Sequence, residues 1–168
     1  MGPVTYALCG KPAIGVAMWI TGLCAFPPLF HDRPISLDAA GTQVSAAFEA
    51  PVDKKYLLAA GFEFASREAR VHDRLAGGDT GLPCSDGSGR PMPFHVVVRK
   101  AGDRSVEIDK TFVASCGLSH DGDRKKTVLI GWLDLPAGQH TAEITNLQAH
   151  GGFDGVIVRI SLYAGTGK

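Results

Sequence analysis

Thr127–Leu147 reads TVLIGWLDLPAGQHTAEITNL. Two runs of alternating polarity, Thr127–Leu135 and His140–Leu147, flank Pro136-Ala137-Gly138. Proline and glycine are turn residues, the first because its φ is fixed and the second because it tolerates left-handed backbone. Apolar side chains at every second position suit a half-buried strand, whereas a helix needs them three or four apart. The stretch therefore predicts two antiparallel strands joined by a tight turn. Trp132, which follows Leu129 and Ile130, is expected to fill the core as a large anchor.

Reading outward, the same period recurs. Val44–Phe48 and Lys55–Phe64 are strand-like, the second with apolar residues on both faces. Phe94–Arg99 (FHVVVR) is a strong strand, and Ser105–Ser115 is its partner across a turn at residues 101–104. In Phe153–Tyr163 the residues Val156, Val158, Ile160 and Leu162 share one face. Residues 65–76 read as a strand or irregular crossing, with Arg67, Arg70 and Arg74 on a solvated face. The Gly- and Pro-rich residues 77–93 form a long loop, and Gly117–Lys126 a polar one. The sum is an all-β chain, an antiparallel β-sandwich of seven to eight strands, jelly-roll or immunoglobulin-like.

Composition agrees. The 168 residues carry 17 Lys plus Arg against 17 Asp plus Glu, with 45% hydrophobic and 20% charged residues. Such a chain has no field to draw a polyanion, which excludes sequence-independent nucleic-acid binding, and it is too apolar to be disordered. The charge is unevenly placed, because Lys11 is the one charged residue before His31. Behind it Ala13–Phe30, AIGVAMWITGLCAFPPLF, is uncharged. This cation followed by an apolar run is the layout of an export signal. Residues 1–30 are therefore expected to be a signal peptide, a lipoprotein-type leader or a membrane anchor, and residues 34–165 the sandwich domain. Cys24 ends the apolar run where a lipidated cysteine would stand, although Leu23 occupies a position that favours a small residue. The expected location is the bacterial envelope, periplasmic or outer-membrane-associated.

Cys84 and Cys116 remain for the folded part. In an oxidising compartment they form one disulfide or stay as two thiols, and spacing does not decide between them.

The segments Leu133–Leu162, Tyr56–Phe64 and Gly81–Arg99 together resemble a family of small exported bacterial proteins, often lipoproteins, catalogued only as a domain of unknown function. The shared features are an L-x-L-P-x-G-x-[HY] unit, here Leu133–His140, a following strand ending in Asn146-Leu147, and a Pro-rich approach to the strand at Phe94. The resemblance spans about residues 34–163 and implies a β-sandwich in the envelope. It supplies no catalytic residues to carry over.

Candidate chemistry is sparse. Asp79, Asp86, His120, Asp121 and Asp123 lie in two loops that would offer oxygens to a hard cation if they met. The EF-hand order is absent, and the six histidines show no pair at zinc-site spacing. Gly87-Ser88-Gly89 lacks the nucleophile-elbow pattern. No cofactor is expected. The reading is a non-enzymatic sandwich that binds another envelope protein, an immunity-type factor against a toxin being one form, with contact to the membrane only through the leader or a lipid. The alternative is a carbohydrate or envelope-polymer binding module; a hydrolase ranks below both.

Overall fold

The computed structural model describes residues 28–73, 75–76, 89–114, 117–121 and 123–164. They fold as nine strands and one short helix: β1 (Phe30–Pro34), β2 (Gln43–Ala50), β3 (Lys54–Glu63), α1 (Arg67–His72), β4 (Met92–Lys100), β5 (Val106–Ala114), β6 (Gly117–Asp121), β7 (Lys125–Leu135), β8 (Gly138–Asn146) and β9 (Ile157–Tyr163). All paired strands are antiparallel, in one sheet ordered β1-β9-β3-β7-β6 and another ordered β2-β8-β4-β5. Among the described residues no helix is long and apolar enough to cross a membrane.

Consecutive strands mostly change sheet. Only β4–β5 and β6–β7 stay within one. In an immunoglobulin domain the first two strands lie side by side, whereas here β1 and β2 face each other from opposite sheets. With β6 set aside as an added edge strand, eight strands form two four-stranded sheets in the jelly-roll manner. The sandwich expected from alternation is thus the jelly-roll alternative.

The core follows from period two. β2 buries Val44, Ala46, Phe48 and Ala50 and exposes the residues between them. β3 lies in the interior of its sheet and buries Tyr56, Leu58, Ala60 and Phe62, with Ala59 also hidden on its outer side. Phe94, Val96 and Val98 of β4 face Ile160 and Leu162 of β9 across the core cluster. Each fully buried side chain of this size contributes roughly 1.5–3 kcal/mol over leaving it exposed.

Five expectations need correction. Trp132 is 48% exposed and not a core anchor. The register of β3 on β7 shifts between Leu58 and Ala59, which face Gly131 and Leu129, so Ile130 is an extra residue. Ile130 and Gly131 are both buried, and alternation resumes one step later, with Leu133 and Leu135 inside and Trp132 outside. Residues 67–72 are helical because Ser66 caps them, its Oγ accepting from Ala69 N at 3.2 Å. Arg70 is buried, its Nε donating to Asp123 O at 2.8 Å, so the arginine row is not wholly solvated. The polar segment after Gly117 pairs as β6 against β7, polar side chains being no obstacle on an edge strand. Finally, residues 153–156 form a turn, with Val156 N donating to Phe153 O at 2.9 Å, so β9 begins only at Ile157. Among the described residues the strands number nine, β6 adding an edge to the eight-stranded sandwich. β1 begins at Phe30, which is buried.

Candidate binding surfaces

β1 enters and β9 leaves at one end of the sandwich, where Leu29 N donates to Leu162 O at 2.8 Å. This near end also holds the turns at 51–53, 101–105 and 136–137. At the far end lie α1 and the connections 35–42 and 147–156.

A groove of about 360 Å³ opens at the far end between Pro34–Asp38 and the segment from Phe153 to Val158. Its walls are apolar: Ile35, Leu37, Phe153, Val156 and Val158, with Ile157 half-exposed at the rim. Both walls are held in place. On one, Thr42 Oγ1 donates to Ser36 O at 2.5 Å, and buried Asn146 donates through Nδ2 to Ala39 O at 3.0 Å. Gly41 sits at φ +84°, a region costly for side chains with a Cβ, and its N–H reaches Asn146 O at 2.7 Å. On the other, Phe153 packs on Phe62 with ring centroids 5.2 Å apart. The walls are tied together by His150 N donating to Leu37 O at 2.8 Å. The His150 ring is fully buried and neither nitrogen has a partner among the described residues. Burial, with Arg90 nearby, holds its pKa below the usual histidine value.

A second depression, about 200 Å³, lies on the outer face of the five-stranded sheet. The register places Arg159, Gly61 and Thr127 in one lateral row and Ile157, Glu63 and Lys125 in the next. Gly61 makes the floor, and His31, Asp32, Ser161 and Tyr163 form the wall on the β1 side. Arg159 Nη1 donates to Glu63 Oε2 at 2.6 Å, which lowers the Glu63 pKa, helped by Lys125 and Arg124. Ser161 Oγ lies 2.9 Å from His31 Nδ1 and accepts from Asp32 N at 3.0 Å. The outer face of the other sheet is polar, with His95 Nε2 on Asp109 Oδ1 at 2.7 Å and Arg99 Nη1 on Glu143 Oε2 at 2.9 Å.

Of the loop residues suggested for a cation, three fall among the described residues. His120 and Asp121 belong to a strand, in register with Lys126 and Lys125. Asp123 is exposed in the following turn and offers its carbonyl to Arg70. Asp79, Asp86, Cys24, Cys84 and Cys116 lie outside the described residues. Among the described residues no three His, Cys, Asp or Glu side chains are placed to share a metal ion. Sequence reasoning passed over the groove, since Pro34–Asp38 carried no motif and Phe153 was assigned to a strand. The one available signal was the cluster Gly151, Gly152 and Gly155 around Phe153, which marks a turn that breaks the strand period.

One solved structure shares the architecture. A crystal structure of a protein from Sulfurospirillum deleyianum superposes with a TM-score of 0.56 at 17% identity, over 77% of this chain and 94% of that one. This likeness bears on the fold alone. An Arthrobacter globiformis isomalto-dextranase complexed with panose gives 0.44 at 17% identity, over 76% of this chain and 18% of that one. A carbohydrate-binding module from a Cellvibrio mixtus lichenase, in complex with cellotriose, gives 0.36 at 15% identity over 84% and 92% of the two chains. Scores this low carry no weight for function. The comparison with curated proteins gave no match. A family model covers residues 32–164, nearly the whole sandwich, and the chain accordingly belongs to the family described as a domain of unknown function, DUF5625.

Proposed function

We propose that this chain is a non-enzymatic module of the bacterial envelope that binds another protein through the far-end groove. The carrying observation is a preformed apolar groove at the end opposite the one where the chain enters the sandwich. Its size is at the lower end of what ligand sites occupy, and its rim exposes Ile157 beside the polar groups of Ser36 and Asp38. That combination suits a protruding apolar side chain flanked by backbone or hydroxyl groups. Fixed walls lower the ordering cost of association. A leader at the near end would leave the groove facing away from the membrane.

The test is site-specific photo-crosslinking in the native cell. A photoreactive residue at position 157 should yield a discrete protein adduct that Val156→Asp removes. The same residue at Ser45, on the outer face of the four-stranded sheet, should yield none. Equal adducts at both positions, or none at 157, would overturn the reading.

The polar trough over Gly61 favours a second reading, an envelope-polymer site. The Cβ of a side chain at Gly61 meets nothing closer than Arg159 O at 3.7 Å, so the backbone accepts Gly61→Leu and its side chain projects into the trough. Retention of the chain on purified peptidoglycan that this substitution abolishes would support the polymer reading. Retention unchanged by it would reject the trough as the site.

A further inference from the structure

The near end of the five-stranded sheet carries a feature that the groove does not use. Leu57 pairs with Trp132 on one side and Tyr163 on the other, so the three side chains form one lateral row on the outer face. Trp132 is about half-exposed, while Leu57 and Tyr163 are partly so. The next row toward the far end is Ser161, Ala59 and Leu129, and the row toward the tip is Lys55 opposite Asp134. The His31 ring stands edge-on to Tyr163, with centroids 6.0 Å apart. We propose that this corner of the folded domain rests in the headgroup region of a phospholipid bilayer, with Trp132 and Tyr163 as interfacial anchors.

Two observations select a lipid surface over other occupants. The uncharged run Ala13–Phe30 enters the sandwich beside this row, since Leu29 bonds to Leu162, the neighbour of Tyr163. Whatever membrane holds that run is within reach of Trp132. Second, Trp132 is flanked by Leu57 in its own row, by the apolar Ala59 and Leu129 on the far-end side and by the charged pair Lys55 and Asp134 on the tip side, a layered order that suits an interface between lipid and water. An amphipathic ring with apolar neighbours and a charged row at the tip matches what the bilayer interface selects, where Trp and Tyr sit at headgroup level and lysine stems reach back to water. The consequence is an oriented molecule, its row at the lipid and its groove pointing away. This rests on the reading that the leader keeps the chain at a membrane, and it adds a contact made by the folded domain itself.

The experiment uses the full chain with Trp19→Phe, which leaves Trp132 as the single tryptophan of the original two. The protein is reconstituted into vesicles of phosphatidylcholine and phosphatidylglycerol. Lipids brominated near the top of the acyl chain should quench Trp132 fluorescence more than lipids brominated near its end, and aqueous iodide should quench it poorly. Chain that stays with the vesicles while iodide quenches Trp132 freely and brominated lipid does not would overturn the contact and leave the envelope reading standing. Absence of the chain from the vesicle fraction would overturn both. A shift in Trp132 emission on adding soluble chitotriose, without lipid quenching, would also overturn it and assign the row to a glycan.

Discussion

At the near end of the sandwich the strands are joined by the short turns 51–53, 101–105 and 136–137, where backbone bonds are supplemented by two buried side chains, Tyr56 reaching Val52 O at 2.7 Å and His140 reaching Pro136 O at 2.9 Å. Lys100 N donates to Ser105 O and Ala101 N to Gln139 O, both at 2.9 Å. At the far end the connections 35–42 and 147–156 and the segment 64–73 are irregular or only briefly helical, and buried polar side chains hold them: Asn146, Arg70 and the pair Lys126 Nζ–Asp73 Oδ2 at 3.2 Å. The contrast follows from backbone accounting. Irregular chain carries N–H and C=O groups that no ladder can pair, so polar side chains must be buried among them. The same pins give the groove its fixed walls, while the near end is left with a simple face and one exposed aromatic row.

The contrast breaks most visibly at Asp73. Its carboxylate accepts from Leu75 N and Ala76 N, each at 3.0 Å, and faces a lysine that is almost wholly buried. Asp73→Ala leaves that ammonium without its partner, and a loss of about 3–5 kcal/mol is expected in denaturant unfolding. Adding Lys126→Met should restore much of the loss, because an apolar side chain of similar length removes the stranded charge. A single substitution costing less than about 1 kcal/mol would mean the far end does not depend on its buried polar pins.

Packing between the two sheets is tested at Gly131, midway along β7. A Cβ there would lie 2.2 Å from Phe112 Cδ1 of β5, so the bulge brings the two sheets together at a point where only glycine fits. Gly131→Ala should cost about 1–3 kcal/mol by overpacking, and Phe112→Leu should relieve part of it.

These positions also show how far the sequence could be read. Strand existence was legible wherever one face is buried and the other wet, as in β2, β4 and β8, since burial imposes period two directly. The bulge was not. TVLIGWLDL offers two self-consistent alternations, and the choice depends on β3 supplying Leu58 and Ala59 opposite, which is tertiary information. α1 was missed because its apolar face is Val71 and little else; the serine cap and the Arg70 contact to Asp123 stabilise it, and the latter partner is far away in sequence. Of the candidate surfaces, the groove was invisible for the same reason, its two walls lying more than a hundred residues apart. Charge patterning did mark Ala13–Phe30, and the structure shows where that run joins the sandwich.

A smaller effect distinguishes the two ends by pH. His150 is buried, its backbone bonded to Leu37, and neither ring nitrogen has a partner among the described residues; its pKa lies below the ordinary value of 6.5 because burial and Arg90 disfavour the imidazolium. The unfolded chain therefore takes up this proton at a higher pH than the folded one. Below about pH 6.5 the unfolded state binds more protons, so the stability due to His150 is present above that pH and falls as pH decreases toward the folded-state value. His150→Phe should flatten the difference between unfolding midpoints at pH 7.5 and pH 5.5. An identical pH slope in both proteins would show that the imidazole is not excluded from protonation.

The smallest expected change is at Trp132. A tryptophan in the core would cost about 3–5 kcal/mol on truncation, whereas Trp132 stands on the outer face opposite Leu57 and is 48% exposed. Trp132→Ser should shift unfolding by no more than about 0.5 kcal/mol. The emission of Trp132 in the Trp19→Phe chain without lipid should be that of a ring in contact with water. A loss of several kcal/mol on truncation would place the ring back between the sheets, restore the simple alternation of Thr127–Leu135, and remove the bulge on which the exposed row depends. A near-silent substitution fixes the opposite conclusion, because a large aromatic side chain that contributes little to the fold is held in water on an otherwise closed face, at the end where the apolar run joins the sheet.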